Sequence, residues 1–328
     1  MTDSEYGGRA SLGVCRARGV PGDSPSRRAG MLEEDMDLFE TLMKRRSVRS
    51  FEDRPVPADV MGKLLDAANN APTGGNIQPL SIIVVENAED REELSEIVGG
   101  QPWVRNAPVS LIFCLDFHRV KRWAEMFDVE FLGEQILGSF LIGYADVMCA
   151  AQSVVVLAES LGLGSVYVGT IQANMRQASE HFGVPRHVLP LMVLSLGYPR
   201  SVPKHIPKLA TDVVVHRDRY RVPSDKEVRE AFESKYGDIT DDVDAYLERA
   251  YVEAVEADKQ QDDSWVESAR KRMEKLAIKS NAEFLFNLRY PQRMMARTNR
   301  RLIDALLEAG FRLPFAGRDG GERPKQEP

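Results

Sequence analysis

The chain has 328 residues, of which 43% are hydrophobic and 28% are charged, and its formal net charge is −7. This composition supports a packed core and is atypical of disordered chains. The acidic balance argues against general nucleic-acid binding, which needs a basic surface. No continuous apolar run reaches the roughly 18 residues of a membrane-spanning helix, and no secretory signal is visible. The three widely spaced cysteines predict free thiols in a reducing cytoplasm, and no His/Cys grouping has the spacing of metal ligands.

Three segments of the chain differ in composition. Residues 1–30 are rich in Gly, Arg, Ser and Pro, lack periodicity, and are predicted to be a disordered leader. Residues 31–222 alternate helical and strand patterns and form the predicted main domain. Residues 223–328 are helical in pattern, first mainly acidic and then mainly basic, and are predicted to be a charged helical extension. Solvated helix faces account for most of these charges, and pairing with each other or with a dimer partner is the alternative.

Hydrophobic periodicity places the helices and strands of the main domain. We predict helices at 33–46, 57–70, 90–98 and 140–161 and one beginning at Asn174, and strands at 81–85, 109–115, 165–168 and 189–196. The helix at 140–161 is apolar nearly all round, so it is expected to be central and buried. The strand at 81–85 is also expected to be buried. Asn174 is expected to cap its helix, and Ser224 with Glu227 to form a capping box. Strict βαβ regularity is lacking, which favours an α+β sandwich in which helices cover a central mixed sheet.

Two cysteines fall within these elements. Cys114 lies in an apolar strand pattern and Cys149 in a helical pattern, so both are expected to be inert core residues.

A cluster of cations and hydroxyls follows the first predicted helix, in Arg45-Arg46-Ser47-Val48-Arg49. Arginine offers a planar fork of donors that matches phosphate oxygens, and serine adds a short donor. The pattern therefore indicates an anion clamp. The alternative is a solvated basic helix end that complements the helix dipole.

A Gly-rich polar turn, Pro72-Thr73-Gly74-Gly75-Asn76-Ile77-Gln78, follows the second predicted helix and is ended by Pro79. It presents amides rather than charges, and these can both donate and accept hydrogen bonds. Such a turn suits the edge of a flat heterocycle. The alternative is an ordinary polar loop.

Two further motifs follow in order, GLGSVYVG at 162–169 and GYPRSVPKHIPKL at 197–209. With RRSVRSF at 45–51 and APTGGNIQP at 71–79, they resemble the nitroreductase family of FMN-dependent NAD(P)H oxidoreductases, and in particular its flavin-reductase-like branch. The GLG pattern is not a dinucleotide-binding loop, because it closes a helix and opens a strand.

The resemblance implies a flavin site with defined roles. Arg45 and Ser47 bind the phosphate with Lys208, and Arg49 places a cation near the N1–C2 carbonyl side of the ring. Backbone groups around Val168 and Gly169 approach N5. The full set of cofactor-binding candidates is Arg45, Arg46, Ser47, Arg49, Pro72, Thr73, Gly74, Asn76, Gln78, Val168, Gly169 and Lys208. The 72–76 segment reaches the flavin from a second subunit, and no side-chain acid or base is compulsory because the cofactor carries the chemistry.

Residues 117–135 are expected to form a mobile cover over the flavin. Trp123, Phe127 and Phe131 are candidates for stacking on substrates. Arg119, Lys121 and Arg122 are candidates for contacting the 2′-phosphate of NADPH.

The resemblance thus implies a cytoplasmic homodimeric FMN enzyme that takes hydride from NAD(P)H. It passes the electrons in a ping-pong cycle to a small electron-poor acceptor such as a nitroaromatic or a quinone, with no nucleic-acid or membrane partner. A specialised member of the family, such as a reductive dehalogenase or a flavin-dependent oxygenase, is one alternative. An FMN-binding redox sensor that recruits a partner through its extension is another.

Overall fold

The computed structural model describes residues 38–201, 203, 206–237, 271, 275, 280–290 and 292–313. The predicted leader at 1–30 lies outside the described residues. The longer helices are α1 Leu38–Lys44, α2 Ala58–Asn69, α3 Ala88–Ile97, α4 Pro102–Asn106, α5 Phe117–Met126, α6 Leu137–Ser160, α7 Met175–His181, α8 Thr211–Val214, α9 Asp225–Tyr236 and α10 Gln292–Glu308. Short 3-10 turns lie at Gly74–Asn76, Gly133–Gln135 and Gly169–Asn174, and an α turn at Asn281–Glu283 continues as a π-helical segment at Phe284–Arg289.

The strands are β1 Leu80–Val85, β2 Val109–Asp116, β3 Gly164–Val168 and β4 Val188–Gly197, which confirms the predicted strands. They form a sheet in the order β1-β2-β4-β3, and each neighbouring pair is antiparallel. β2 is buried at every position, as a central strand should be. The expectation that β1 is a buried strand is wrong. It is an edge strand that is half-buried along most of its length, and Val84 is exposed.

The two faces of the sheet carry separate apolar layers. Leu111, Phe113 and Leu115 point to one side and pack with α2 and α6, whereas Ile112 and Cys114 point to the other side and pack with α3 and α7. This alternation follows from the period of two along a strand. The fold is therefore an α+β sandwich with helices on both faces of the sheet, as predicted, but the sheet of the four described strands is antiparallel rather than mixed.

Helix α6 is the central helix of the first layer, and it packs on α2 and on the sheet. Its inner face is buried, for example at Val147 and Val154, but Leu141 is 58% and Ile142 is 55% exposed. The expectation of burial all round is therefore wrong, because only one face of the helix meets the sheet. The helix is long and apolar enough to cross a membrane, but its inner face packs as that of a core helix does.

The end of the described chain completes this core. Ala305, Leu306, Phe311 and Leu313 belong to the same apolar cluster as α2, α6 and β2. Part of the predicted extension therefore packs as a layer of the main domain.

Two helix starts test the capping expectations. The Ser224 and Glu227 capping box at the start of α9 is confirmed. Asn174 precedes α7 but makes no side-chain cap, because its amide donates to the carbonyl of Ile97 at 2.6 Å instead.

The two cysteines within the described residues differ. Cys114 is buried, and burial, with the nearby Asp116 carboxylate, raises the pKa of its thiol to about 12. Such a thiol stays protonated and inert. Cys149 is exposed on the outer side of α6, so the expectation that it is a core residue is wrong.

Candidate functional site

Residues 45–51, called the arginine-rich segment below, lie extended along the edge strand β3. The amide of Val48 donates to the carbonyl of Ser165 at 3.0 Å, and Ser47 forms a parallel bridge with Ser165. Val48 packs so tightly on Gly164 that a Cβ there would lie 2.4 Å from its side chain. The glycine therefore lets the segment approach β3 closely and fixes its position on the sheet.

Alternation along this segment separates buried from accessible side chains. Val48 and Phe51 are buried, whereas Ser47 and Arg49 are only half-buried. The guanidinium of Arg49 lies over the ring of Trp103, 5.4 Å from its centroid, which is within cation–π range. Ser47 and Arg49 thus share the accessible side, as an extended chain requires.

Arg45 sits among groups from the C-terminal end of α6 and from β3. Burial raises the pKa of the Glu159 carboxyl, and the charges of Arg45 and Arg46 oppose that shift. Burial also raises the pKa of Tyr167 to about 12, again against the charge of Arg45. The guanidinium of Arg45 therefore lies near these half-buried groups, beside β3.

Arg46 has a local partner. Its Nη1 donates to the carbonyls of Met43 and Arg45, each at 2.9 Å, and so satisfies the end of α1. We therefore assign Arg46 to the helix end and leave the predicted phosphate role to Arg45 and Ser47.

Val168 and Gly169 lie at the far end of β3. Val168 is buried and Gly169 is exposed. A Cβ on Gly169 would meet only the methyl of Met192 at 3.8 Å, an ordinary contact, so the packing of the protein does not require a glycine there. Along a strand, Ser165 and Gly169 are about 13 Å apart.

The polar turn at 72–78 is fixed to the N-terminal half of α6. The amide of Gly74 donates to Oδ1 of the buried Asp146 at 2.9 Å. A Cβ on Gly74 would lie 2.5 Å from Ile142, so glycine is needed for this approach. The amide of Gln78 donates to the hydroxyl of Thr73 at 3.3 Å and closes the turn.

The turn has an unusual backbone. Gly75, Asn76 and Gln78 have φ values of 61°, 56° and 52°. Left-handed conformations of residues other than glycine cost energy and persist only where the surroundings impose them, often at functional sites. Asn76 is exposed and presents its amide, whereas the Gln78 side-chain nitrogen already donates to the carbonyl of Asn69 at 3.1 Å.

The arginine-rich segment and the polar turn lie at opposite edges of the sheet within one chain. The arginine-rich segment follows β3, the turn leads into β1, and these are the two edge strands of the sheet. Three strand spacings amount to about 14 Å across the sheet. Along α6, Asp146 beside the turn and Glu159 beside Arg45 are about 20 Å apart. One chain therefore offers the phosphate clamp and the amide turn at separate places.

Lys208 is exposed in the segment that follows β4. The start of that segment is tied to the arginine-rich segment, since the amide of Glu52 donates to the carbonyl of Tyr198 at 2.8 Å and that of Arg200 to Ser50 at 3.0 Å. Lys208 therefore follows a segment anchored beside the clamp, and its phosphate contact stays a prediction.

The predicted cover at 117–135 is only partly exposed. Trp123 and Phe127 are exposed, but Phe131 packs edge-on against Phe117 in the core. Lys121 pairs with the buried Glu134 at 2.5 Å.

Arg119 is likewise engaged within the fold. The assignment of Arg119 and Lys121 to a 2′-phosphate is therefore wrong, because internal partners hold both cations. Arg122 is exposed and lies 3.8 Å from Glu125.

Sequence reasoning missed Asp146 and Trp103, which shape the site, and it predicted a 2′-phosphate contact for Arg119 instead of the contacts that the structure shows. Asp146 carried a signal, because an acid within an otherwise apolar helix predicts a buried partner. Trp103 and Arg119 carried none, since their roles depend on contacts between segments distant in sequence.

Comparison with known proteins gives the class of the protein. Residues 42–198 match the sequence model of the nitroreductase family. The chain is 35% identical to the FMN reductase (NAD(P)H) of Bacillus subtilis over 185 residues, which cover 56% of this chain and 74% of that relative. The chain belongs to the nitroreductase family.

Two longer matches extend this result. The oxygen-insensitive NADPH nitroreductase of Salmonella typhimurium is 31% identical over 255 residues, covering 77% of this chain and 96% of that relative. The structure of the NfrA1 nitroreductase of Bacillus subtilis superposes with a TM-score of 0.64 at 27% identity, covering 84% of this chain and 99% of that one. Because residues 1–222 number fewer than 255, the first of these matches includes part of the C-terminal extension. The extension is thus shared, at least in part, with relatives.

Proposed function

We propose that the protein uses NAD(P)H to reduce small electron-poor acceptors, such as nitroaromatics and quinones, through FMN in a ping-pong cycle. As a member of this family, it is an NAD(P)H-dependent oxidoreductase that uses FMN. Relatives named as FMN reductases and as an NADPH nitroreductase support this proposal. The acidic charge and the sparse cysteines fit a cytoplasmic enzyme with a small-molecule substrate.

One observation carries the proposal. The bridge between Ser47 and Ser165 joins the arginine-rich segment to β3, which ends at Val168, immediately before Gly169. Cations and a hydroxyl therefore lie beside β3 near Ser165, and an exposed glycine, at which a Cβ would make only ordinary contacts, follows its other end.

In this proposal, the residues of the chain bind FMN and orient it. When bound, FMN would supply the hydride-transfer chemistry between NAD(P)H and the acceptor. Arg45 and Ser47 hold the phosphate. Arg49, held by Trp103, supplies positive charge beside the pyrimidine side of the ring and so stabilises negative charge there. Asn76 offers its amide to the ring edge.

We further propose that the site is completed by a second copy of the chain. The clamp and the turn lie at opposite edges of the sheet, so two copies are needed to bring them to one ligand. Helix α1 supports this, because it buries Thr41 while exposing Leu38, Phe39, Leu42 and Met43. An apolar helix face that is exposed in one chain indicates a protein contact.

An anaerobic titration with NADH and with NADPH tests the proposed function. The flavin absorption of the FMN-loaded protein is expected to bleach rapidly with at least one of the two, and to return when a quinone or a nitroaromatic is added. Bound flavin that neither nucleotide bleaches would exclude the reductase, and failure to bind added FMN would exclude the cofactor.

Substitutions in the clamp test the site. Arg45→Ala with Ser47→Ala is expected to abolish tight FMN binding, because it removes the phosphate donors. Arg46→Ala is expected to lower the melting temperature slightly and to weaken FMN binding far less, since its guanidinium serves the end of α1. Equal losses of FMN affinity in the two variants would contradict this assignment.

A further inference from the structure

The turn at 72–78 is joined to the start of α5 by one guanidinium. Nη2 of Arg119 donates to the carbonyl of Gln78 at 2.8 Å and to that of Leu80 at 2.7 Å. Nη1 of Arg119 donates to the carboxylate of Asp116 at 3.2 Å and to the hydroxyl of Ser81 at 3.3 Å. The planar fork of arginine is what allows one side chain to serve these directions at once.

The acceptor side of this network is itself fixed. Asp116 is buried, accepts from the Ser81 hydroxyl at 2.5 Å, and caps α5 by accepting from the Arg119 amide at 2.9 Å. Its own amide donates to the carbonyl of Pro79 at 2.9 Å. A guanidinium paired with a buried carboxylate has little freedom to move. The position of Arg119 is therefore fixed by Asp116 at the end of β2 as well as by the turn and β1.

The bond to Gln78 falls at the end of the strained stretch. Asn76 and Gln78 both have a positive φ, and the Gln78 carbonyl accepts from both Arg119 and the Leu80 amide. A donor at that carbonyl fixes the orientation of the peptide unit that closes the turn. Without it, the turn can relax toward lower-energy backbone conformations and move the amide of Asn76.

We propose that Arg119 is a positioning residue for the cofactor. It holds the 75–78 turn in the conformation that presents Asn76 to the ring edge of FMN, and it ties that turn to the helix that opens the 117–135 cover. This inference rests on the proposed function, since it assumes that the turn meets FMN. Arg119 itself does not touch the cofactor in this account.

Two substitutions separate positioning from simple stabilisation. Arg119→Met removes both the charge and the fork, whereas Arg119→Lys keeps a charge beside Asp116 but loses the planar fork. Arg176→Met is the matched control, because Arg176 is an exposed arginine of α7 paired with Glu180 and Glu308. The dimeric, full-length protein is titrated with FMN by fluorescence quenching. Its thermal melting and the visible circular dichroism of the saturated flavin are recorded.

We expect both Arg119 variants to bind FMN at least about tenfold more weakly than the wild type, a difference of about 1.4 kcal/mol. The circular dichroism of the bound ring should change in both, since a displaced edge contact alters the surroundings of the chromophore. Arg119→Lys should recover most of the melting temperature lost in Arg119→Met without recovering the FMN affinity. Arg176→Met should leave the affinity and the spectrum unchanged.

Other outcomes would overturn the inference. If Arg119→Lys restores affinity and spectrum together with stability, the residue acts only as a charge that stabilises the fold. If both variants lose stability but bind FMN normally, the turn does not depend on Arg119. If the wild type itself binds no FMN, the proposed function fails first and the inference falls with it. If the wild type binds FMN and both Arg119 variants keep its FMN affinity and flavin spectrum, as the Arg176→Met control should, the inference fails while the proposed function stands.

Discussion

Two glycines of the same motif, Gly162 and Gly169, have different physical reasons to be glycine. Gly162 has a φ of 77° and open space around it, so its backbone conformation requires it. Gly169 does not have a positive φ, and a Cβ there would make only an ordinary contact. The fold explains the first glycine, and we propose that a ligand close to the end of β3 explains the second.

This contrast predicts opposite effects of the same substitution. Gly169→Ala is expected to leave the melting temperature unchanged and to weaken FMN binding markedly, because the methyl group occupies space meant for the ring. Gly162→Ala is expected to cost about 1 kcal/mol of stability, from a left-handed alanine, and to leave FMN affinity unchanged. Thermal melts and FMN titrations of both variants check this. A Gly169→Ala protein with wild-type affinity would remove Gly169 from the flavin site.

At the same scale, the sequence predicted some roles and hid others. The residue types of Arg45, Ser47 and Asn76 indicate what they can bind, and their spacing places them on accessible turns and strands. The two bonds by which Arg119 holds the turn end on the backbone carbonyls of Gln78 and Leu80, which any residue could supply. Such a contact leaves no mark in the sequence, so only the structure reveals it.

At the scale of elements, the tail that follows α10 is part of the core. Phe311 is fully buried between Phe117 at the start of α5 and Phe140 in α6, with ring centroids 5.8 Å and 6.1 Å away. The amide of Arg312 donates to the carbonyl of Glu134 at 2.9 Å. The tail therefore supports both the central helix and the two ends of the 117–135 cover.

This packing predicts a large effect of truncating one side chain. Phe311→Ala is expected to lower the free energy of unfolding by about 3–5 kcal/mol, because it leaves a cavity that the surrounding rings cannot fill. Phe127→Ala is the control, since that ring is 79% exposed and its loss should change stability little. Chemical denaturation of both variants measures the difference. Similar stabilities would show that the tail does not contribute to the core.

The docking of the tail is also expected to depend on pH. His187 has a φ of 67°, and its amide donates to the carbonyl of Ala309 at 2.7 Å. Burial lowers the pKa of its imidazole below the ordinary value, and the charge of Lys121 adds to this. Arg186 and His118 act in the same direction, while Glu134 opposes them.

A histidine whose pKa is lowered on folding binds protons better in the unfolded chain. Its contribution to stability is therefore complete above its ordinary pKa of about 6.5 and is lost as the pH falls through the window below it. His187→Asn removes this titration and tolerates the left-handed backbone. Melting temperatures of the two proteins should be similar at about pH 8, and the variant should lose less between about pH 7 and about pH 5.5. Parallel profiles would contradict this account.

Hydrophobic periodicity predicted where helices and strands lie, because it depends only on local pattern. It did not predict that β1 is an edge strand, since a short apolar run suits either position. Nor did it predict that α6 exposes Leu141 and Ile142, because a helix that is apolar all round does not show which side faces the sheet. The position of Phe311 in the core was also hidden, since its partners lie far away in sequence.

At the scale of the whole molecule, several exposed apolar residues lie on α1, α6 and the polar turn. α1 contacts α6, and both present apolar side chains to the outside, among them Met43, Leu141 and Ile142. Ile77, in the polar turn, is exposed as well. A second copy that covers these helices would also bring its own turn toward the clamp. Dimer formation and assembly of the site are then the same event.

Subunit complementation tests this central claim most directly. One variant carries Arg45→Ala with Ser47→Ala, and the other carries Asn76→Gly, which removes the amide but keeps the positive φ. The two are mixed, allowed to exchange subunits, and assayed at an FMN concentration that saturates neither alone. If the site is shared, half of the dimers are mixed and each has one intact site, so about a quarter of the wild-type activity should appear. Activity no higher than the mean of the separate variants, after exchange has been verified, would show that each chain builds its site alone.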